Sequence, residues 1–167
     1  MSFLNTTQTL SHVSALPPPI TREAAIAMLH NHEHFISCSP NNPKREPAPA
    51  PSPPPELPAG VVGLRPTDFF RVTEVVHALP AGLWDSDVIS TYEFTDIEDG
   101  LFVRIRSPLN VLLETFWRVR DGAAGLEVVE DVTMKCSRLL IGVVKGACDG
   151  NWPKIHENMI AGIKTAA

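Results

Sequence analysis

Seven polar residues occupy positions where the surrounding alternation of side chains calls for an apolar one: His12, Glu74, Ser90, Tyr92, Asp96, Thr115 and Glu130. A carboxylate on the covered face of a sheet is costly unless it is paired, hydrogen-bonded or protonated. If Glu74 and Glu130 do point inward, they suit general acid-base work, or hydrogen bonding from a protonated carboxyl to a substrate carbonyl. The competing reading places each at the sheet rim, or turns it outward at a bulge, because one extra residue shifts the phase of a strand. Tyr92, the one tyrosine, either closes the core while donating a single hydrogen bond or joins the site. His12 qualifies as an acid-base group by its chemistry. Glu74, Tyr92, Glu130 and His12 therefore form the candidate catalytic set.

Other chemistry is poorly represented. In His30-Asn31-His32-Glu33-His34 the first and last histidines would share a helical face, while His32 would point away. Ile36 stands where H-E-x-x-H needs its second histidine, so this run reads as a solvated helix end with histidines near its negative pole. Neither a phosphate-binding glycine loop nor a G-x-S-x-G nucleophile elbow occurs. No cofactor and no metal are expected. Cys38, Cys136 and Cys148 are odd in number and lack C-x-x-C spacing, which reads as reduced thiols in a cytoplasmic protein.

The elements that must hold these residues follow from periodicity. Thr7 to Leu16 is a strand closed by Pro17-Pro18-Pro19. Thr21 caps a helix carrying Ala25, Ile26 and Leu29 on one stripe and running to about His34, and Phe35-Ile36 packs the chain back onto the sheet. Nine of the nineteen residues from Pro40 to Pro58 are proline, which predicts a mobile or polyproline-like loop inserted at about 40–58. Five alternating segments come next: Asp68 to Leu79, Asp87 to Ile97, Leu101 to Ser107, Val111 to Arg120 and Leu126 to Ser137. Their turns, Pro80-Ala81-Gly82, Glu98-Asp99-Gly100, Pro108-Leu109-Asn110 and Asp121-Gly122, are short enough to make the neighbours antiparallel.

One face of these strands is apolar and includes Phe70, Val72, Val76, Tyr92, Phe94, Leu101, Val103, Ile105, Val111, Leu113, Trp117, Val119, Val128, Val132 and Met134. The opposite face, with Arg71, His77, Glu93, Arg104, Arg106, Glu114, Arg118, Arg120, Glu127, Asp131 and Lys135, reads as wet. An apolar sheet face needs a cover. Leu140, Val144, Cys148, Ile155, Met159 and Ile163 recur at helical spacing and supply it. Pro153 leaves three arrangements open: one kinked helix, two shorter ones, or a last strand over Leu139 to Val144 followed by a helix. Gly142, Gly146 and Gly150 would permit close packing of helix on sheet.

The 167 residues suit one α+β domain, with 44% hydrophobic and 20% charged side chains. A net charge of −5 argues against non-specific nucleic-acid binding and against anionic membrane surfaces. No apolar run is long enough for a membrane span, and the N-terminus lacks a signal-peptide pattern.

Strand, helical segment, antiparallel strands and long closing helix resemble the order in START-like and Bet v-type helix-grip proteins, which include polyketide cyclases and lipid carriers. More narrowly, residues 93–104, Arg106-Ser107-Pro108-Leu109, Cys136-Ser137-Arg138-Leu139-Leu140 and Val144-Lys145-Gly146 are similar to a fungal family of unknown function. The resemblance covers residues 7–38 and 68–164. It implies a helix-grip fold, a curved antiparallel sheet of six or seven strands around the C-terminal helix, with an internal cavity. It supplies no catalytic motif, since this superfamily reuses one cavity for unrelated chemistries.

The expected ligand is a bulky hydrophobic small molecule held by Phe70, Val72, Phe94, Val103, Leu113, Thr115, Trp117, Val132, Met134, Val144, Ile155 and Met159. The leading expectation is a cofactor-independent cyclase or isomerase, in its narrowest form a Diels-Alderase, that folds its substrate by shape. The alternatives are a non-catalytic carrier or sensor of a lipid, sterol or metabolite, and an interaction module working through the proline-rich loop.

Overall fold

Alternation and short turns produce the sheet in the computed structural model, which describes residues 4–77 and 85–163. Seven strands, β1 (Asn5–Ala15), β2 (Lys44–Pro47), β3 (Asp68–His77), β4 (Asp85–Ile97), β5 (Gly100–Ser107), β6 (Val111–Gly122) and β7 (Gly125–Ser137), form one antiparallel sheet. Their order is β1-β7-β6-β5-β4-β3-β2, so the first strand lies beside the last, with His12 opposite Glu130. Gly100 at the β4–β5 turn has no substitute: a Cβ there would fall 1.8 Å from the Trp117 carbonyl oxygen. The expected Pro80-Ala81-Gly82 turn, with the end of the strand before it at Leu79, lies outside the described residues.

The apolar face is the core. Phe70, Val72, Phe94, Leu101, Val103, Trp117, Val119 and Val128 are buried against Ala25, Met28, Leu29, Phe35 and Ile36. These last five come from two helices, α1 (Arg22–Leu29) and α2 (His32–Ser37), rather than from one helix running to His34. Thr21 caps α1 as expected, and Asn31 breaks the run because its side chain accepts the His34 amide and starts a new helix. The closing element is a single helix, α3 (Ile141–Ala161), with Pro153 inside it, so neither the two-helix arrangement nor the late strand is present. A Cβ added at Gly142, Gly146 or Gly150 would meet nothing within 4 Å, so these glycines do not mediate close packing.

The opposite face differs from expectation. The proline-rich region is not all loop: Lys44–Pro47 pairs with β3 as an edge strand, where a proline is tolerated. Beyond it the chain crosses the outside of the sheet as a strap. Arg104 donates to the Glu56 carbonyl at 3.0 Å, the Leu64 amide donates to the Asp96 carbonyl at 2.9 Å, and Gly63 packs beside Thr95. Glu93 (4% exposed) and Arg104 (6%) are consequently buried, together with Phe69, Thr95 and Phe102. The outer face is dry beneath the strap and wet only elsewhere, for example at Arg71, Arg106 and Asp131.

Candidate functional site

Between the concave sheet face and α3 lies a cavity of about 360 Å³, near the small end of the roughly 300–1,000 Å³ usual for ligand sites. Val103, Ile105, Leu113, Val132, Val144 and Ile155 make apolar walls, Trp117 and Trp152 aromatic ones, and Leu109 and Val143 also line it. Leu109 holds a left-handed backbone (φ 62°) while 73% exposed. Polar groups enter this lining in two places.

At one place Glu130 projects from β7. Its Oε2 lies 2.9 Å from His12 Nδ1 and 3.3 Å from His156 Nε2. The other nitrogen of His12 faces Asp149 Oδ1 at 3.3 Å, and that of His156 faces Ser14 Oγ at 2.7 Å. A ring set between two carboxylates donates from both nitrogens only as imidazolium, whereas His156 bonds Glu130 and the serine hydroxyl as neutral imidazole. The His12 ring stacks on Trp152 at 4.7 Å, which fixes its plane. The bond from His12, followed by that from Lys145, holds the Asp149 carboxyl below the usual carboxylate range. The Cys148 thiol beside it is pushed up to about 12, chiefly by burial and then by the charges of Glu130 and Asp149, so it is a wall and not a nucleophile.

At the other place Glu74 projects from β3. Ser39 Oγ donates to its Oε1 at 2.5 Å, and the Tyr92 hydroxyl donates to its Oε2 at 3.0 Å. Burial pushes the Tyr92 phenol well above its usual range, and the neighbouring Glu74 charge adds to this, so Tyr92 is a neutral donor. Ser90 and Ser107, bonded to each other at 2.7 Å, line the cavity nearby.

The structure thus brings Glu74, Tyr92, Glu130, Ser90 and Thr115 to the cavity, with His12 behind Glu130. Of the expected ligand contacts, Val103, Leu113, Thr115, Trp117, Val132, Val144 and Ile155 line the space. Phe70, Val72, Phe94, Met134 and Met159 are buried but do not line the space. Asp96 lies outside the lining, bonded to His32 and Arg65.

Sequence reasoning missed His156, Asp149, Trp152 and Ser39. His156 precedes buried Met159 and Ile163 at helical spacing, a signal obscured by its polar type. The histidine run is also not a solvated helix end: His32 is buried between Asp68 and Asp96, 2.8 Å from each, and stacks on Phe94. Among the described residues no group of three or more His, Cys, Asp or Glu is arranged to hold a metal ion.

A family model described as a domain of unknown function (DUF7053) matches residues 5–165. No curated protein matches at a significant level. Solved structures share the fold at low identity. Protein CV1439 from Chromobacterium violaceum aligns with a TM-score of 0.58 at 10% identity, over 95% of this chain and 99% of its own. TTHA0849 from Thermus thermophilus gives 0.58 at 15%, over 93% and 95%. Ara h 8.0201, a Bet v 1-like protein, gives 0.56 at 14%, over 95% and 99%. The helix-grip architecture is therefore that of the Bet v 1-like structures.

Proposed function

The chain belongs to the DUF7053 family, a domain of unknown function, and from the cavity itself we propose that it binds a largely apolar small molecule and acts on it as a cofactor-independent isomerase or cyclase. The observation that carries this reading is the Glu130 carboxylate, aimed into an apolar cavity and held between the imidazoles of His12 and His156.

Glu130 has two imidazoles on one oxygen and an apolar space before it, which puts a carboxyl group where a general base would stand. In the proposed step Glu130 takes a proton from a carbon next to a substrate carbonyl, and the electron pair moves onto the carbonyl oxygen. The Thr115 hydroxyl, which lines the cavity from the neighbouring β6, is a candidate to bond that oxygen. Returning the proton to a different carbon gives an isomer; attack by the enolate carbon on a carbonyl or conjugated acceptor in the same molecule gives a ring, and the proton on Glu130 then goes to the anion that this attack creates. The chain Glu130–His12–Asp149 reaches a half-exposed carboxylate and offers a route for proton exchange with solvent. A pericyclic closure would use the same walls for shape and one hydrogen bond for polarisation.

A carrier is the second reading, and a specific observation favours it. Among the described residues every buried polar side-chain atom already has a hydrogen-bond partner within the protein. A site that satisfies itself holds an apolar ligand without needing to react with it.

The molecule that co-purifies with the protein, stripped and returned to purified chain in D2O, separates the two readings. Turnover predicts deuterium uptake or a change of skeleton, slowed about 10²–10⁴-fold by Glu130→Gln. Recovery of the molecule unchanged and unlabelled would assign the cavity to carriage.

A further inference from the structure

Glu74 and Glu130 are the only charged side chains lining the cavity among the described residues; the lining holds no lysine and no arginine. The two carboxylates have different partners. Glu130 faces two imidazoles, groups able to carry a compensating positive charge. Among the described residues Glu74 is held only by the neutral hydroxyls of Ser39 and Tyr92. Burial, and then the Glu74 carboxylate beside it, push the Tyr92 phenol up. A half-buried carboxylate beside apolar walls is stabilised strongly by a cation and little by further neutral donors.

We infer that the ligand is an apolar molecule bearing a basic amine, and that its ammonium group docks on Glu74. This rests on the reading that the cavity holds a small molecule, and it narrows that molecule's chemistry. The ammonium would meet the carboxylate beside the Tyr92 hydroxyl that already bonds it. The same lining disfavours a fatty acid or any other anion, which would enter a space lined by two carboxyl side chains and by no lysine or arginine among the described residues. Asn41, also in the lining beside Ser39, offers an amide oxygen to a second ammonium hydrogen.

The test uses three probes of one length, decylamine, decanol and decanoate, each below its aggregation concentration, titrated by calorimetry at pH 7. The wild-type chain is expected to bind decylamine at least tenfold more tightly than decanol and to bind decanoate weakest. Glu74→Gln is expected to bring decylamine to the affinity of decanol while leaving decanol binding intact, which also reports that the variant is folded. Glu130→Gln is expected to keep the preference for the amine, placing the cation at Glu74. Equal binding of amine and alcohol, a preference for decanoate, or an amine preference that survives Glu74→Gln would overturn the inference while leaving the cavity reading in place. Binding of none of the three would overturn both.

Discussion

A single residue decides most of the proposed chemistry. Glu130 faces the cavity because β7 pairs without a bulge along its whole length, with β1 on one side and β6 on the other. Its inward position was therefore legible from alternation alone, whereas its partners were not: His156 and Asp149 arrive from a helix whose rotation no strand pattern reveals. Burial makes further predictions at this scale. Cys38, pushed up to about 11 by burial, and Cys148, pushed up to about 12, stay as thiols at pH 8. Iodoacetamide should label both only after unfolding, which peptide mapping before and after urea would check; rapid native labelling of Cys148 would mean that the face of α3 carrying it is not closed against the sheet. For Tyr92 the folded phenol titrates above the unfolded one. Its contribution to stability is thus fully present below about pH 10 and is lost as pH rises from there through the folded value. Thermal melts should show this alkaline loss shrink in Tyr92→Phe, at a cost of about 1 kcal/mol at neutral pH for the bond to Glu74.

At the scale of elements, the strap and the closing helix carry the surprises. Proline content concealed both β2 and the strap: Lys44-Arg45-Glu46-Pro47 has no alternation, and its pairing is supplied by β3. The strap explains why Glu93 and Arg104 are buried on a face that reads as solvated. Arg104 bonds Glu93, Glu114 and the Glu56 carbonyl, and with Lys135 it outweighs the effect of burial on Glu114, whose carboxyl sits below its usual range. Arg104→Ala leaves these partners uncompensated and should cost about 3–5 kcal/mol in urea unfolding; a loss below about 1 kcal/mol would mean the strap is loose. The helix α3 behaves oppositely. Gly142, Gly146 and Gly150 face open space, and its N-cap residue Leu140 makes no side-chain cap. Each glycine replaced by alanine should therefore stabilise the chain by about 0.5–1 kcal/mol. Destabilisation would show that the helix backbone packs against something at those positions.

Across the whole molecule, the fold was readable because the apolar face repeats from Phe70 to Met134 in five successive strands, and a sheet with one apolar face requires a helix to close it. The cavity was less readable. Whether facing side chains interlock, as Phe35 and Phe94 do in the core, or stop short, as Leu113 and Ile155 do, depends on the curvature of the sheet, which leaves no mark in the pattern. No helix among the described residues is long and apolar enough to cross a membrane. The central claim is that the space between sheet and helix is a binding site. Native mass spectrometry of the protein from its own cells tests it most directly, with Leu113→Trp as the comparison. Leu113 lines the cavity without being fully buried, so a larger ring has room to fill the space. The account predicts one small apolar molecule bound per wild-type chain and none on a Leu113→Trp chain that keeps the wild-type circular dichroism. A wild-type chain that carries no ligand, or a filled variant that carries the same one, would contradict it.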